Sequence, residues 1–176
     1  MNVQEQFLNA CRDGNLELAQ QLFKNNPTID ISADNELTFQ YACYYGYLQV
    51  AQWLLEVKPT INISADNEYA FQLACKNKHL ELAQWLLTVK PNINISAINN
   101  CAFKNSCYNE HLQVALWLCS LKPFKYYIKI EDNNIISNKI NTECQEKLLF
   151  VLYSLTNKGY TNNLTPDLLT NISKYL

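Results

Sequence analysis

The sequence predicts an all-α solenoid, in which helix-turn-helix units stack side by side and a degenerate C-terminal unit and a terminal helix close the array. Three observations carry this. The stretch DNELTFQYACYYGYLQVAQWLLEVKP at 34–59 returns almost intact as DNEYAFQLACKNKHLELAQWLLTVKP at 66–91. Whole residue classes recur at a step of 32: Pro27, Pro59, Pro91 and Pro123; Phe7, Phe39, Phe71 and Phe103; Cys11, Cys43, Cys75 and Cys107; Trp53, Trp85 and Trp117. Leucines and alanines follow in the same register, as in Leu16, Leu48, Leu80 and Leu112 or Ala19, Ala51, Ala83 and Ala115. Third, the apolar residues inside one unit show helical spacing twice over.

In the unit beginning at Asp34, Phe39, Ala42 and Cys43 fall on one face of a first helix. Gly46 permits the left-handed backbone that ends it. Leu48, Ala51, Leu54 and Leu55 repeat the spacing for a second helix, with Trp53 to one side. Lys58-Pro59 stops that helix, because proline disfavours helix in its predecessor and donates no hydrogen bond. Residues 60–65 read as extended. Asp66-Asn67-Glu68 then turns the chain into the next unit, with Asn or Asp as helix N-cap. One such pair cannot bury its own apolar face, but stacked pairs can. The tryptophans are expected to bridge successive units, so that Trp85→Ala, at ~3–5 kcal/mol, unfolds the middle of the stack.

The units fall at about 2–33, 34–65, 66–97 and 98–123, followed by 124–176 as a degenerate fifth unit and terminal helix. The first carries Gln21 where the others have Trp, which suits a cap with one wet face. The fourth drifts, with Ile98-Asn99-Asn100 in place of Asp-Asn-Glu. Residues 124–130 read as extended and apolar. Residues 142–156 read as a second helix with Thr142 and Gln145 as its capping box. Residues 164–176 form a short amphipathic helix with Thr165 as N-cap and Pro166 at its first position.

Composition narrows the function. The net charge of −2 and the lack of a basic tract give no nucleic-acid or anionic-membrane surface. The opening residues MNVQEQFLNACRDGN lack the layout of a signal peptide, and no apolar run approaches the ~20 residues of a membrane span. The expected compartment is therefore the cytosol or nucleus, where the seven cysteines read as thiols.

The repeated residues resemble the ankyrin repeat. Phe39-Gln40-Tyr41-Ala42-Cys43 stands where that family has Pro-Leu-His-x-Ala-Ala, and Gly46-Tyr47-Leu48-Gln49-Val50-Ala51 where it has Gly-His-Leu-x-x-Val. Trp53-Leu54-Leu55 and Ile61-Asn62 match its x-Leu-Leu and Val-Asn. His79-Leu80 and His111-Leu112 keep the family's His. Thr-Pro is missing from the first helix, Lys-Pro replaces Gly-Ala before the turn, and the unit is one residue short. This variant is similar to repeats common in giant viruses of amoebae. The resemblance covers roughly 2–123 and implies a non-catalytic scaffold that binds a protein partner on its concave face, as a viral protein on a host protein.

Carrying the family's concave positions over unit by unit gives a stripe. Asp34, Glu36, Asp66, Glu68 and Asn100 come from the turn tips. Arg12 and Asp13, Tyr44 and Tyr45, Lys76 and Asn77, and Tyr108 and Asn109 come from the first helices. These first-helix positions also differ most between otherwise matching units. Tyrosine is enriched at binding hot spots, and acidic tips favour a partner of basic character. The alternative is that the tips are solvated caps and the tyrosines pack on neighbouring turns.

The terminal helix also resembles the opening of an F-box. Leu164, Pro166, Asp167, Leu168, Leu169, Ile172, Tyr175 and Leu176 fit that frame, and the chain stops where an F-box still owes two helices. An ankyrin array with such an ending resembles a poxvirus architecture that recruits cullin-type ubiquitin ligases. Two readings stay open: a helix that seals the stack, or one in which Leu164, Pro166, Leu168, Leu169, Ile172, Tyr175 and Leu176 dock a ligase linker subunit. A self-associating structural protein is a third class.

No catalytic constellation is expected. Cys75 with His79 and Cys107 with His111 have ligand-like spacing, but the register puts the cysteines in the core and the histidines in the inter-helix turn. No phosphate loop, HExxH or nucleophile elbow occurs. We expect no cofactor, metal or small-molecule substrate.

Overall fold

The structure is a computed structural model and describes residues 2–109, 111–121, 129–131 and 134–136. Among the described residues eight helices run in order: α1 Val3–Arg12, α2 Leu16–Asn25, α3 Ala33–Tyr45, α4 Leu48–Val57, α5 Ala65–Lys76, α6 Leu80–Val89, α7 Ala97–Tyr108 and α8 Leu112–Leu121. One compact unit ends at Ala102, within α7, and a second begins at Phe103.

In the first unit each odd-numbered helix pairs with the helix after it, and α1, α3 and α5 lie side by side. The periodic residues make the core. Phe7, Phe39, Phe71, Cys11, Cys43, Cys75, Ala19, Ala51 and Ala83 are all buried. Burying one such phenylalanine is worth about 1.5–3 kcal/mol. Trp53 bridges the first two repeats as the periodicity predicts, with its ring centroid 6.2 Å from Phe7 and 5.9 Å from Phe23.

The stops also follow the sequence. Gly46 caps α3 in the left-handed region (φ 80°, ψ 22°). Asn26, Lys58 and Lys90, each before a proline, leave the helical region with nearly the same dihedrals (φ −136°, −136° and −132°). Beyond each proline, Asp30, Asn62 and Asn94 accept the backbone N–H two residues on, from Ser32, Ser64 and Ser96. These are Asx turns. Ile29, Ile31, Ile61, Ile63, Ile93 and Ile95 point their side chains inward and are buried.

The turn tips depart from expectation. Asp34, Asn35 and Glu36 are all left-handed, with φ of 51°, 59° and 67°. Asp66, Asn67 and Glu68 repeat this, and so do Ile98, Asn99 and Asn100. Neither Ser32 nor Ser64, the residues before α3 and α5, makes a side-chain cap bond, so the expected Asn or Asp cap gives way to a left-handed turn. Such backbone costs roughly 1–2 kcal/mol per L-residue, and a buried amide offsets part of it. Gln40 Nε2 donates to the Asn35 carbonyl at 2.9 Å, and Gln72 Nε2 to the Asn67 carbonyl at 2.7 Å.

In the second unit Phe103, Ser106, Val114, Ala115 and Leu118 are buried. A short antiparallel ladder pairs β1 (Lys129–Glu131) with β2 (Asn134–Ile136), in register Lys129 with Ile136. Its first strand overlaps the stretch expected to be extended, and the ladder is a small β element in an otherwise helical set of described residues. The expected helices over 142–156 and 164–176 lie outside the described residues.

Candidate functional site

The tyrosines at the end of α3 form a cluster held from both neighbouring repeats. Tyr45 sits at its centre. Its ring centroid lies 4.7 Å from Tyr44 in an edge contact, 6.4 Å from Tyr41, and 6.0 Å from the nearly parallel ring of Tyr47. Aromatic pairs in this range gain about 0.5–1.5 kcal/mol beyond their burial. Tyr44 and Tyr45 nonetheless remain 39% and 43% exposed.

Two register contacts fix the cluster. Tyr47 lies on Gly14 of the first repeat, where a Cβ would come within 2.7 Å of the ring. His79 of the third repeat lies on Gly46 in the same way. Its Nε2–H donates to the Tyr44 carbonyl at 3.0 Å, satisfying one of the acceptors that every helix C-terminus leaves open. Asn15, Tyr47 and His79 occupy one repeat position and use it differently. Asn15 accepts the Leu18 N–H at the start of α2, whereas Tyr47 and His79 make no cap bond and cover the preceding repeat's glycine instead.

The other stripe residues of the first unit divide sharply. Arg12 Nε meets Asp13 Oδ1 at 3.1 Å, and that hydrogen bond and charge raise the guanidinium's pKa further. Lys76 is exposed. Asn77 is half-buried and donates to the Leu73 carbonyl. Asp34 and Asp66 are exposed, and Asp66 Oδ2 accepts from Gln40 Nε2 at 3.3 Å.

Glu36, Glu68 and Asn100 are corrections. They are buried, at 8%, 9% and 9% exposure, and so do not present a surface at the tips. Glu36 Oε1 accepts the Asn62 backbone N–H at 3.0 Å, and Glu68 Oε1 the Asn94 N–H at 3.2 Å. Ser64 Oγ donates to the second oxygen of Glu68. These carboxylates tie each tip to the extended segment of its own repeat, which leaves Asp34 and Asp66 as the exposed acids of the glutamate-bearing tips. In the second unit, Tyr108 is 62% exposed and Asn109 half-buried at the end of α7. The positions Leu164, Pro166, Leu168, Leu169, Ile172, Tyr175 and Leu176 lie outside the described residues.

Sequence reasoning passed over several residues. Tyr41 and Tyr47 complete the cluster. Tyr69, 43% exposed on α5, shares the tyrosine-bearing side of the first helices by register. The signal for Tyr41 was its spacing, four residues before Tyr45. Gln4 was also missed: it stands 32 residues before Glu36, and its Oε1 accepts the Asp30 N–H at 3.0 Å in the same way.

Cys11, Cys43 and Cys75 are buried thiols. Burial pushes Cys11 up to about 12, and pushes Cys43 and Cys75 up as well. Among the described residues no group of three or more His, Cys, Asp or Glu side chains could hold a metal ion. No described helix is long and apolar enough to cross a membrane.

Comparison with known proteins agrees with this architecture. Residues 39–87 match the family model described as ankyrin repeats (many copies). Among solved structures, the chain is similar to an ankyrin repeat family protein from Legionella pneumophila, with a TM-score of 0.60 and 21% identity. The match covers 99% of this chain and 52% of that one, so the chain spans about half that protein's length. At this identity the likeness shows the fold. No curated protein matches the chain. Ankyrin repeats are generally modules for protein–protein recognition and typically lack catalysis. The fold is an ankyrin-repeat solenoid, and residues 39–87 are the part of it that matches the ankyrin-repeat model.

Proposed function

We propose that the chain is a non-catalytic recognition scaffold whose first-helix face binds a partner protein, with Tyr44 and Tyr45 at the centre. Arg12, Asp13, Lys76 and Asn77 flank them, and Asp34 and Asp66 lie at the tips. With repeat boundaries at about 33, 65 and 97, each of the first three repeats carries one such set; Tyr108 and Asn109 hold the matching sequence position of the fourth and belong to the other compact unit. One observation carries the reading. The core of the second and third repeats is the same residue for residue at Phe39/Phe71, Ala42/Ala74 and Cys43/Cys75, while the adjoining pair changes from the exposed Tyr44-Tyr45 to the exposed Lys76 and half-buried Asn77. Exposed tyrosine costs little entropy to immobilise and supplies a large contact area.

The test is affinity capture from a cell lysate with the intact chain and with Tyr44→Ala/Tyr45→Ala. Loss of the captured protein by a variant that still melts in one cooperative transition, at a temperature lowered by the lost ring contacts, supports the face. Retention of it moves the site elsewhere. The similarity of these repeats to giant-virus repeats makes host cytosolic or nuclear protein the lysate of choice.

A second reading rests on the sequence at 164–176. There the F-box-like frame from Leu164 to Leu176 makes the chain a substrate adaptor that docks a cullin-ligase linker subunit. Capture with the full chain and with one ending at Asn163 separates the two. If cullin and linker are absent from both, the adaptor reading goes.

A further inference from the structure

Trp53 reaches back onto Phe7 and Phe23 of the first repeat. The row Val50, Trp53 and Leu54 on α4 is therefore the side with which a repeat grips the one before it. The same row on α2 is Leu18, Gln21 and Leu22, spaced i, i+3 and i+4. It is open. Leu18 is 41% exposed, whereas its counterparts Val50, Leu82 and Val114 are exposed by 1%, 2% and 0%. Leu22 is half-buried, whereas Leu54, Leu86 and Leu118 are fully buried.

The row has also lost the contacts that stack repeats. Gln21 stands in place of the tryptophan, and Asn15 caps its own helix at the Leu18 N–H where Tyr47 and His79 cover a preceding glycine. The charges beside the leucines are ordered. Glu17 and Lys24 are both exposed, and neither forms an ion pair among the described residues. They stand seven residues apart, about 10 Å along α2. At 3.6 residues per turn both fall on one edge of the row, the leucines fall on the other, and Gln21 lies between.

This arrangement is its own complement. A twofold axis that lays α2 antiparallel on α2 of another copy brings like edges together. Leu18 of each copy then meets Leu22 of the other, and Glu17 meets Lys24 at both ends. Gln21 falls near the axis, where an amide both donates to and accepts from its twin. Parallel pairing would set Glu17 against Glu17. We propose that this face of α2 is a contact between two copies of the chain, joined antiparallel about a twofold axis. A second copy is favoured over a foreign helix because charge order, apolar edge and central amide all match their own image, and flanking charges of this kind set partner and orientation between helices. The contact stands independently of the tyrosine face; together they give a dimer with two such faces, which binds a repetitive partner by avidity.

The experiment is sedimentation equilibrium of the full chain from micromolar to millimolar concentration. One helix face buries less than the roughly 1,600 Å² of a standard interface, so the dimer is weak and fills only in the upper part of that range. The average mass is expected to rise toward that of a dimer and no further. Leu18→Asp, which suits the first turn of a helix, is expected to stay monomeric while its melting curve shows it folded. Lys24→Glu sets acid against acid at both ends and weakens association about tenfold or more. Glu17→Lys/Lys24→Glu rebuilds both pairs in reverse and regains the association. A chain that is monomeric throughout overturns the proposal. So does a dimer indifferent to Leu18→Asp, whose contact then lies elsewhere, or growth past the dimer, which a closed twofold contact forbids. Failure of the double variant to recover what Lys24→Glu loses overturns the antiparallel pairing.

Discussion

Glu36 Oε1 accepts the backbone N–H of Asn62 at 3.0 Å, across 26 residues of chain. Gln4 does the same for Asp30, and Glu68 for Asn94, at the same separation. The bond closes each repeat on itself by fastening the start of its first helix to the segment that follows its second. Gln4 indicates that the role needs an acceptor and not a charge. Glu36→Gln is therefore expected to cost less than 1 kcal/mol, whereas Glu36→Ala leaves a part-buried N–H unmade and costs about 1–3 kcal/mol. Urea unfolding of the two variants checks this.

Ile98 occupies the first left-handed position of the third tip at φ 48°, where the earlier tips have Asp34 and Asp66. A β-branched residue is poorly suited to that region, and Ile98 is 59% exposed, so its side chain returns little by burial. Ile98→Asn is expected to raise stability by about 1 kcal/mol. A higher melting temperature is the readout.

Trp53 joins two repeats through Phe7 and Phe23. Trp53→Ala removes both contacts and is expected to cost about 3–5 kcal/mol. Hydrogen exchange on the same variant shows the loss spreading into α1 and α2, beyond α4 itself.

The buried thiols make stability depend on alkaline pH. Burial holds the folded Cys11 near 12, and pushes Cys43 and Cys75 up too, while an unfolded thiol titrates near its ordinary value of 9.0. Below that value both states are protonated and the contribution is fully present. As pH rises past it the unfolded state loses its protons first, so stability falls by up to about 1.4 kcal/mol per thiol per pH unit. For Cys11 the loss runs from about 9 to about 12. Denaturant midpoints between pH 8 and 10.5 measure the slope, and Cys43→Ala makes it shallower.

The two ends of a repeat were not equally legible in the sequence. The core was readable because burial forces the same residue type at Phe39 and Phe71 or at Cys43 and Cys75, and a step of 32 exposes the coincidence. The stops were readable because Gly46 and Lys58-Pro59 act through the backbone of their immediate neighbours. The tips were not. Asp-Asn-Glu has the composition of a helix cap, and only the fold shows that the Glu folds under the turn while the Asp stays out. That outcome depends on Asn62, 26 residues away in the chain, and on Gln40, which reaches back to the Asn35 carbonyl. The tyrosine cluster was half-read for a similar reason. Tyr44 and Tyr45 showed as a difference between copies, whereas Tyr41 and Tyr47 join through packing against a helix end that Gly14, Gly46 and His79 shape.

Residues that stack the repeats are distinct from those proposed to meet a partner, and Tyr44→Ala/Tyr45→Ala tests that separation most directly. Affinity capture with the intact chain and with this variant, each confirmed folded by its melting curve, is the deciding measurement. The variant is expected to stay folded, with a melting temperature lowered only by the lost ring contacts, and to recover no partner. Full recovery of the partner by the folded variant would contradict it.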